Sequence, residues 1–309
     1  MEKMKAIQFT AFGHSDVLQL TETDKPSFKE NEVLIKISAT TVNPLDMKIR
    51  EGYLQKEMPI KFPFIPGAEI SGIVESTGSK VTRIKPGDEV YATTYGGTYA
   101  GYIALNEDAV ALKPKNITFN EAAALAVPLV TSYTLLIESA QLQPGQKILI
   151  QGAAGAVGSI MVQMAKILGA YVIGTASGAA VERVKSLGAD EVIDYKTQDF
   201  SKLVKDVDVV ADLAGGDAQI KSFDVLKTGG KLLSIVMPPS SELAKKHGVT
   251  AQFLMGTPSY KKLAFCEKWI MEGKIKAQIT KTMKLDDAAE AQDLVSKGGV
   301  NGKVVLEID

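Results

Sequence analysis

The stretch Ile148–Gly169, ILIQGAAGAVGSIMVQMAKILG, constrains the fold more than any other part of this chain. A short β-type run, Lys147–Gln151, passes through Gly152-Ala153-Ala154-Gly155-Ala156-Val157-Gly158 into helical periodicity at Val157, Ile160, Met161, Met164 and Leu168, and Gly169 supplies a stop. Gly155 and Gly158 take the second and third positions of the dinucleotide fingerprint, with Ala153 in the first. That fingerprint answers three physical demands: a tight turn, close approach of backbone to pyrophosphate, and close packing of helix on strand. The helix N-terminus then offers unpaired N–H groups and the positive end of its dipole to phosphate. The turn predicts a dinucleotide cradle formed by Ala153, Gly155, Ala156, Val157 and Gly158. The competing reading is an empty α/β sheet whose glycines serve packing alone.

The surrounding pattern supports a sheet of this kind. From Lys147 to about Ile235, strands and helices alternate, which predicts repeated βαβ units and a parallel sheet covered on both faces. Before residue 112 the chain reads as short strands (Lys5–Thr10, Val33–Thr40, Ala68–Ser76, Glu89–Thr94 and Tyr99–Leu105) separated by turn signals such as Pro66-Gly67 and Pro86-Gly87-Asp88. That spacing predicts a compact, barrel-like β unit. An Ala-rich helix follows, with Thr118 or Asn120 as its N-cap, and Pro128 is expected to interrupt it before a second helix at Thr131–Ser139. The last fifty residues predict a helix over Tyr260–Met271, a strand over Ile275–Lys284, a helix opened by Asp287 with Glu290 at capping-box spacing, and a terminal strand over Lys303–Ile308. At 309 residues the chain is long enough for two cores.

Composition excludes several function classes. The formal charge of −1 leaves no electrostatic footprint for nucleic acid or an anionic membrane. No apolar run reaches the roughly 18 residues needed to span a bilayer, and the opening MEKMKAIQFT lacks a signal-type apolar region, so a cytoplasmic address is expected. Cys266 is the single cysteine, and His14 and His247 are the only histidines. Structural zinc wants four Cys/His-type ligands and catalytic zinc about three, so a metal site is not expected.

The acceptor strand after the glycines speaks to the cofactor. NAD-binding folds place Asp or Glu about 20 residues on, against the ribose 2′-hydroxyl. Here the run Tyr171–Thr175 ends in Ala176-Ser177-Gly178, and the first acid is Glu182. A carboxylate about 4 Å from a 2′-phosphate costs up to roughly 4 kcal/mol per charge pair at an effective dielectric of 20. Its absence favours NADPH, with NADH as the alternative. The Ser177 hydroxyl is a donor for that phosphate or else a helix N-cap, and Arg183 or Lys196 are the cations at hand.

Three segments together resemble one family: Thr41–Gly52 (TVNPLDMKIREG), Pro66–Val74 (PGAEISGIV) with Lys85–Val90 (KPGDEV), and the glycine turn through Gln163 and Lys166. They are similar to the medium-chain dehydrogenase/reductase superfamily, in its zinc-free quinone oxidoreductase, zeta-crystallin-like branch. Val304-Val305-Leu306 after Gly302-Lys303 matches the last strand of that family. The resemblance implies an α/β fold made of a GroES-like β-barrel catalytic domain over 1–119, a Rossmann domain binding NADP over 120–259, and a C-terminal segment over 260–309 that returns to the first. Zinc-dependent relatives carry Cys near the place of Asn43 and His near Ala68, and both are missing here. Three positions depart from the usual pattern: Ala156 for a glycine, Gly101 for a common Glu, and Ala179 where relatives carry a basic residue toward the 2′-phosphate.

The resemblance implies zinc-independent hydride transfer from NADPH to a quinone or an α,β-unsaturated carbonyl. Without a Lewis acid, alcohol oxidation is disfavoured, whereas these acceptors are already electrophilic and the cofactor carries the hard step. The implied catalytic residues are Asn43, whose amide would lie beside the nicotinamide, Tyr53 after Arg50-Glu51-Gly52, and Thr131 after Pro128-Leu129. Asn43 and Thr131 also count as cofactor-binding, together with Ser177, Tyr195, Ala214, Gly215, Phe253 and Met255. Bland readings stand beside these: a turn-forming Asn before Pro44, a helix hydroxyl, an exposed loop tyrosine. Phe253–Gly256 is the edge that relatives use for dimer pairing, so a homodimer is expected. The alternatives are a reductase of enoyl thioesters or alkenals, and an NADPH-binding protein that has lost turnover.

Overall fold

The computed structural model describes residues 2–308. The chain divides into two compact units, each with its own sheet. One holds the residues up to Val127 together with Pro258–Glu272 and the residues from Lys276 onward; the other holds Pro128–Thr257 with Gly273–Ile275.

In the first unit, β1 (Lys3–Gln8) and β2 (Gln19–Asp24) form an antiparallel ribbon. β3 (Glu32–Thr41) is the spine of the larger sheet, flanked by β4 (Glu69–Thr77), β5 (Glu89–Thr93), β6 (Tyr102–Asn106) and β7 (Val110–Leu112). The alternation in β3 turns Val33, Ile35 and Ile37 into a core shared with Ile70, Val74, Val90, Ile103 and Val110. β2 and β7 escape sequence reading because one is polar and largely exposed, and the other is three residues long. Between β3 and β4, α1 (Pro44–Arg50) opens with Pro at its first position, where the missing N–H costs nothing.

α2 (Phe119–Tyr133) corrects two expectations. Thr118 is its cap: its Oγ1 accepts from Glu121 N at 3.2 Å while Glu121 Oε2 accepts from Thr118 N at 2.8 Å. Asn120 instead donates to Glu307 Oε1. Pro128 does not end the helix, which continues into a π-helical turn over Thr134–Ser139. Proline deprives a helix of one donor and crowds the carbonyl four residues back. Next to it the Val127 N–H is given to the Glu69 carboxylate at 2.6 Å, which provides a local partner outside the helical ladder. The unit boundary accordingly falls at Val127/Pro128, inside α2, rather than at 119/120. The continuous helical run Phe119–Ser139 is also long and apolar enough to cross a membrane by length and composition, against the expectation that nothing here would be; 72% of its most apolar window is buried, as in a core helix.

The second unit is a six-stranded parallel sheet of β8 (Lys147–Gln151), β9 (Tyr171–Ala176), β10 (Glu191–Asp194), β11 (Val207–Asp212), β12 (Leu226–Ser234) and β13 (Thr250–Phe253). Its order is β10-β9-β8-β11-β12-β13. Counted within the unit this is 3-2-1-4-5-6, the doubly wound order whose ligands sit outside the carboxyl ends of the strands where the order reverses. α3 (Ala156–Ile167) follows β8, and α4 (Ala180–Ser186) follows β9.

After that sheet the chain rejoins the first unit. β14 (Ile279–Lys284) pairs parallel with β15 (Lys303–Glu307), and β15 pairs antiparallel with β3. The expected capping box at Asp287 is not made. The Asp287 carboxylate accepts from Lys284 N at 3.3 Å, one turn earlier, and Glu290 pairs with Lys281.

Candidate cofactor cradle and active-site residues

The glycine turn is held by the end of β9. Gly152 N donates to Thr175 Oγ1 at 3.1 Å, Ala153 N to Thr175 O at 3.0 Å, and Thr175 Oγ1 donates on to Gln151 Oε1 at 2.8 Å. The three glycines divide the labour. Gly152, with φ +72°, makes the tight turn that Ala153 was expected to make. Gly155 is the N-cap of α3, and a Cβ there would meet only Gly152 O, at 3.4 Å. Gly158 packs the helix on the turn so closely that a Cβ would collide with the Gly152 carbonyl and come within 2.8 Å of Ala153 Cα. Ala153 is tolerated because Gly174 on β9 leaves room for its methyl; a Cβ on Gly174 would stand 2.9 Å from it.

Gly155 brings no side-chain acceptor to the start of α3, so the first-turn N–H groups at Ala156, Val157 and Gly158 have no side-chain cap, beside an open Cα. The residues present therefore fit a dinucleotide pyrophosphate. Ala156 adds a methyl at the first helical position without closing the turn.

The other expected cofactor residues lie at the carboxyl ends of successive strands. Ser177 follows β9 and Tyr195 follows β10, and the Ser177 hydroxyl donates to the Tyr195 hydroxyl at 3.2 Å. Ser177 does not cap α4, whose N-cap is Ala179. Sequence order hid an acid here: Asp194, from β10, accepts from Gly178 N at 3.1 Å and from Lys196 N at 3.0 Å, so both its oxygens are turned to backbone. Arg183 reaches back from α4 to Ala154 O at 2.5 Å. Lys196 is exposed and lines an open cleft of about 480 Å³ with Tyr195, Asp199, Asp217 and Lys221.

Asp212, at the end of β11, organises the next loop. It is fully buried and accepts from Ala214 N, Gly215 N, Gln219 Nε2 and Ser234 Oγ at 2.8–3.1 Å. Gly215, at φ +73°, lets that loop fold back over the carboxylate. Asp212 is thus a positioning group for Ala214 and Gly215. Phe253 and Met255 are about half exposed at the end of β13, and Gly256 closes on α2, where a Cβ would lie 3.4 Å from Thr131 Oγ1.

In the first unit the Asn43 amide is held by buried protein partners. Its Nδ2 donates to Glu69 Oε1 at 3.1 Å, and its Oδ1 accepts from Lys303 Nζ at 2.7 Å. Lys303 Nζ also donates to Thr41 Oγ1 at 3.0 Å and to Glu69 Oε1, and Thr41 Oγ1 donates to the same carboxylate oxygen. Glu69, Lys303, Thr41 and Asn43 are all buried. The amide is therefore fixed by an ion pair before it meets any ligand. The adjacent turn is fixed by Asp46, whose Oδ2 accepts from Asn43 N at 2.8 Å and from Tyr99 OH at 3.1 Å. Burial pushes the Asp46 carboxyl up to about 7, against the lowering effect of its Asn43 and Tyr99 hydrogen bonds and of the Lys303 charge.

Arg50 of the Arg50-Glu51-Gly52 signature is a core residue: it bonds Gly13 O, Gln292 Oε1 and Glu51. Tyr53 is 73% exposed and engages Lys48 O through its backbone only. Glu69 and Lys303, which hold the Asn43 amide, lie inside the PGAEISGIV and Gly302–Leu306 motifs, and nothing local to those motifs signals the pairing. At the places where zinc-dependent relatives carry Cys and His, Asn43 and Ala68 offer neither thiolate nor imidazole, and among the described residues no group of three or more His, Cys, Asp or Glu side chains could hold a metal ion.

Comparison with known proteins gives consistent matches. Residues 29–115 match the family model of the alcohol dehydrogenase GroES-like domain, and residues 187–306 that of zinc-binding dehydrogenase. The 2-methylene-furan-3-one reductase of Solanum lycopersicum is 38% identical over 98% of this chain and 79% of its own length. The structure of the quinone oxidoreductase from Coxiella burnetii superposes with a TM-score of 0.93 at 33% identity, covering 100% of both chains. The Escherichia coli quinone oxidoreductase complexed with NADPH gives 0.90 at 29% identity, covering 98% of this chain and 100% of that one.

Proposed function

The chain belongs to the medium-chain dehydrogenase/reductase superfamily, in its quinone oxidoreductase branch, and on that premise we propose that it is an NADPH-dependent, zinc-independent reductase of quinones and α,β-unsaturated carbonyls. The observation that carries this reading is the open helix start at Gly155, set at the reversal point of a 3-2-1-4-5-6 sheet. The tomato relative supports the enone half of the acceptor class, and the bacterial relatives support the quinone half and the cofactor.

NADPH supplies the hydride when bound. The chain supplies orientation and a fixed electrostatic frame. The N–H groups of Ala156, Val157 and Gly158 are the ones that would hold the pyrophosphate, with the bare Cα of Gly155 leaving room for it. Asp212 holds the Ala214–Gly215 loop, and Gly256 lets the Phe253–Met255 segment close on Thr131. In the first unit Lys303 and Glu69 hold the Asn43 amide in a single orientation, so it needs little reorganisation to bond a carbonyl or carboxamide. Preorganisation of this kind contributes to the roughly 7–11 kcal/mol that alignment supplies at its optimum.

A homodimer belongs to the same reading. β13 is the last strand of its sheet, and Thr250, Gln252 and Phe253 are exposed along it, which leaves a ladder edge for a second copy.

NADPH consumption measured with a quinone, an α,β-unsaturated ketone, an alkenal, an enoyl thioester and a saturated ketone tests the proposal. Turnover with the quinone or the enone and none with the saturated ketone is the expected outcome. Tight NADPH binding with no oxidation by any acceptor would replace it with the reading of a binding protein. Light scattering that finds only monomer would remove the dimer.

A further inference from the structure

The cofactor reading leaves one question of charge unanswered, because Ala179 puts a methyl where a basic residue is expected. We infer that Arg183 is the residue that selects a 2′-phosphorylated cofactor, its cation standing one helical turn beyond Ala179. The inference rests on NADPH being the cofactor and adds the residue that recognises it.

Three observations carry it. Residues four apart share a helix face, so Arg183 projects from the side of α4 on which Ala179 stands. Its guanidinium does not trail into solvent: Nη2 donates to Ala154 O, the carbonyl between Ala153 and Gly155 in the glycine turn. That bond anchors a permanent positive charge at the rim of the cradle. The side chain is partly buried, which lowers its pKa from the ordinary arginine value but leaves it charged, and weakens screening around it.

Next, the carboxyl ends of β9 and β10 bring two hydroxyls together, Ser177 Oγ and Tyr195 OH, 3.2 Å apart. Hydroxyls donate to phosphate oxygens as readily as they bond a ribose hydroxyl, so by themselves they do not choose between the cofactors. Last, Asp194 stands at the same corner, with its oxygens on Gly178 N and Lys196 N. A phosphate carrying nearly two negative charges beside that carboxylate needs a cation held close by. Arg183 is the arginine fixed to the cradle itself, and its planar fork suits phosphate geometry.

Lys196 is the competitor for this role, being exposed next to Tyr195. Dissociation constants of the intact chain for NADPH, NADH, 2′,5′-ADP and 5′-AMP separate the two. Arg183→Gln removes the charge while keeping a polar side chain; Arg183→Lys keeps the charge without the fork. Arg183→Gln should weaken NADPH and 2′,5′-ADP by about tenfold or more, equal to ~1.4 kcal/mol, with NADH and 5′-AMP changed by less than about twofold. Arg183→Lys should fall between, and added salt should weaken NADPH for the wild type more than for Arg183→Gln. Equal losses for both cofactors, no loss, or a selective loss that appears with Lys196→Met instead would overturn the assignment. A wild-type chain that does not prefer NADPH removes the cofactor reading as well, whereas a preference kept by Arg183→Gln removes this inference alone.

Discussion

Lys303, on the last strand, donates to Glu69 Oε1 across 234 positions of sequence, and both side chains are at most 3% exposed. Each partner is also satisfied elsewhere: the carboxylate by Thr41, Asn43 and the Val127 N–H, the ammonium by Thr41 and Asn43. Removing one member of such a pair leaves an uncompensated buried charge, whereas removing both costs far less.

Lys303→Met should therefore destabilise the fold by about 3–5 kcal/mol, and Glu69→Gln/Lys303→Met should recover most of that loss. Denaturant unfolding of the two single variants and the double variant reads the coupling directly. The double variant should still lose turnover out of proportion to its stability, because Asn43 then loses the ion pair that orients it. Additive stability losses would contradict a coupled pair.

The glycines of the cradle predict a contrast between fold and binding. A Cβ on Gly155, at φ −71°, meets only Gly152 O, so Gly155→Ala should keep its thermal midpoint while NADPH affinity falls about tenfold or more, since the methyl stands where phosphate approaches. Gly158→Ala should lose both, because its methyl is driven into the backbone of Gly152 and Ala153, an overpacking cost of about 1–3 kcal/mol. Thermal melts beside cofactor titrations check the pair. A Gly155→Ala protein that binds NADPH normally would place the phosphate elsewhere.

Asp46 predicts a pH dependence of stability. Its folded-state carboxyl is raised to about 7, so between roughly 4 and 7 the folded chain holds a proton that the unfolded chain has released. Stability from this group is therefore greatest at acid pH and declines as pH rises, by at most about 1.4 kcal/mol per pH unit, levelling above 7. Asp46→Asn keeps an acceptor for Asn43 N and cannot ionise. Relative to the wild type, it should become progressively more stable from pH 5 to 7. Parallel denaturation curves at each pH would exclude the effect.

Much of this was legible because local chemistry enforces it. The strand–turn–helix at Gly152–Gly158 was readable since glycine spacing and helical periodicity sit in one short window. The first position differs: Ala153 fits the spacing, but φ +72° falls on Gly152, and nothing in the turn signals that Gly174, on another strand, makes room for the Ala153 methyl. Pro128 signals a break by its usual cost to a helix, whereas the helix continues and Glu69 gives the adjacent Val127 N–H a partner. The missing acid after β9 was real in sequence order, yet Asp194 arrives at the same corner from β10.

By itself, then, the sequence determined the order of elements, the doubly wound sheet, the cradle and the family, since each rests on patterns a few residues to a few tens of residues long. Only the tertiary structure decided which polar groups share a partner. Asn43 is held by Lys303 at a separation of 260 positions, and Arg183 by Ala154 at 29. Those pairings follow from strand register and helix placement, and they are stable because a buried donor or acceptor left unpaired costs more than any local preference can offset.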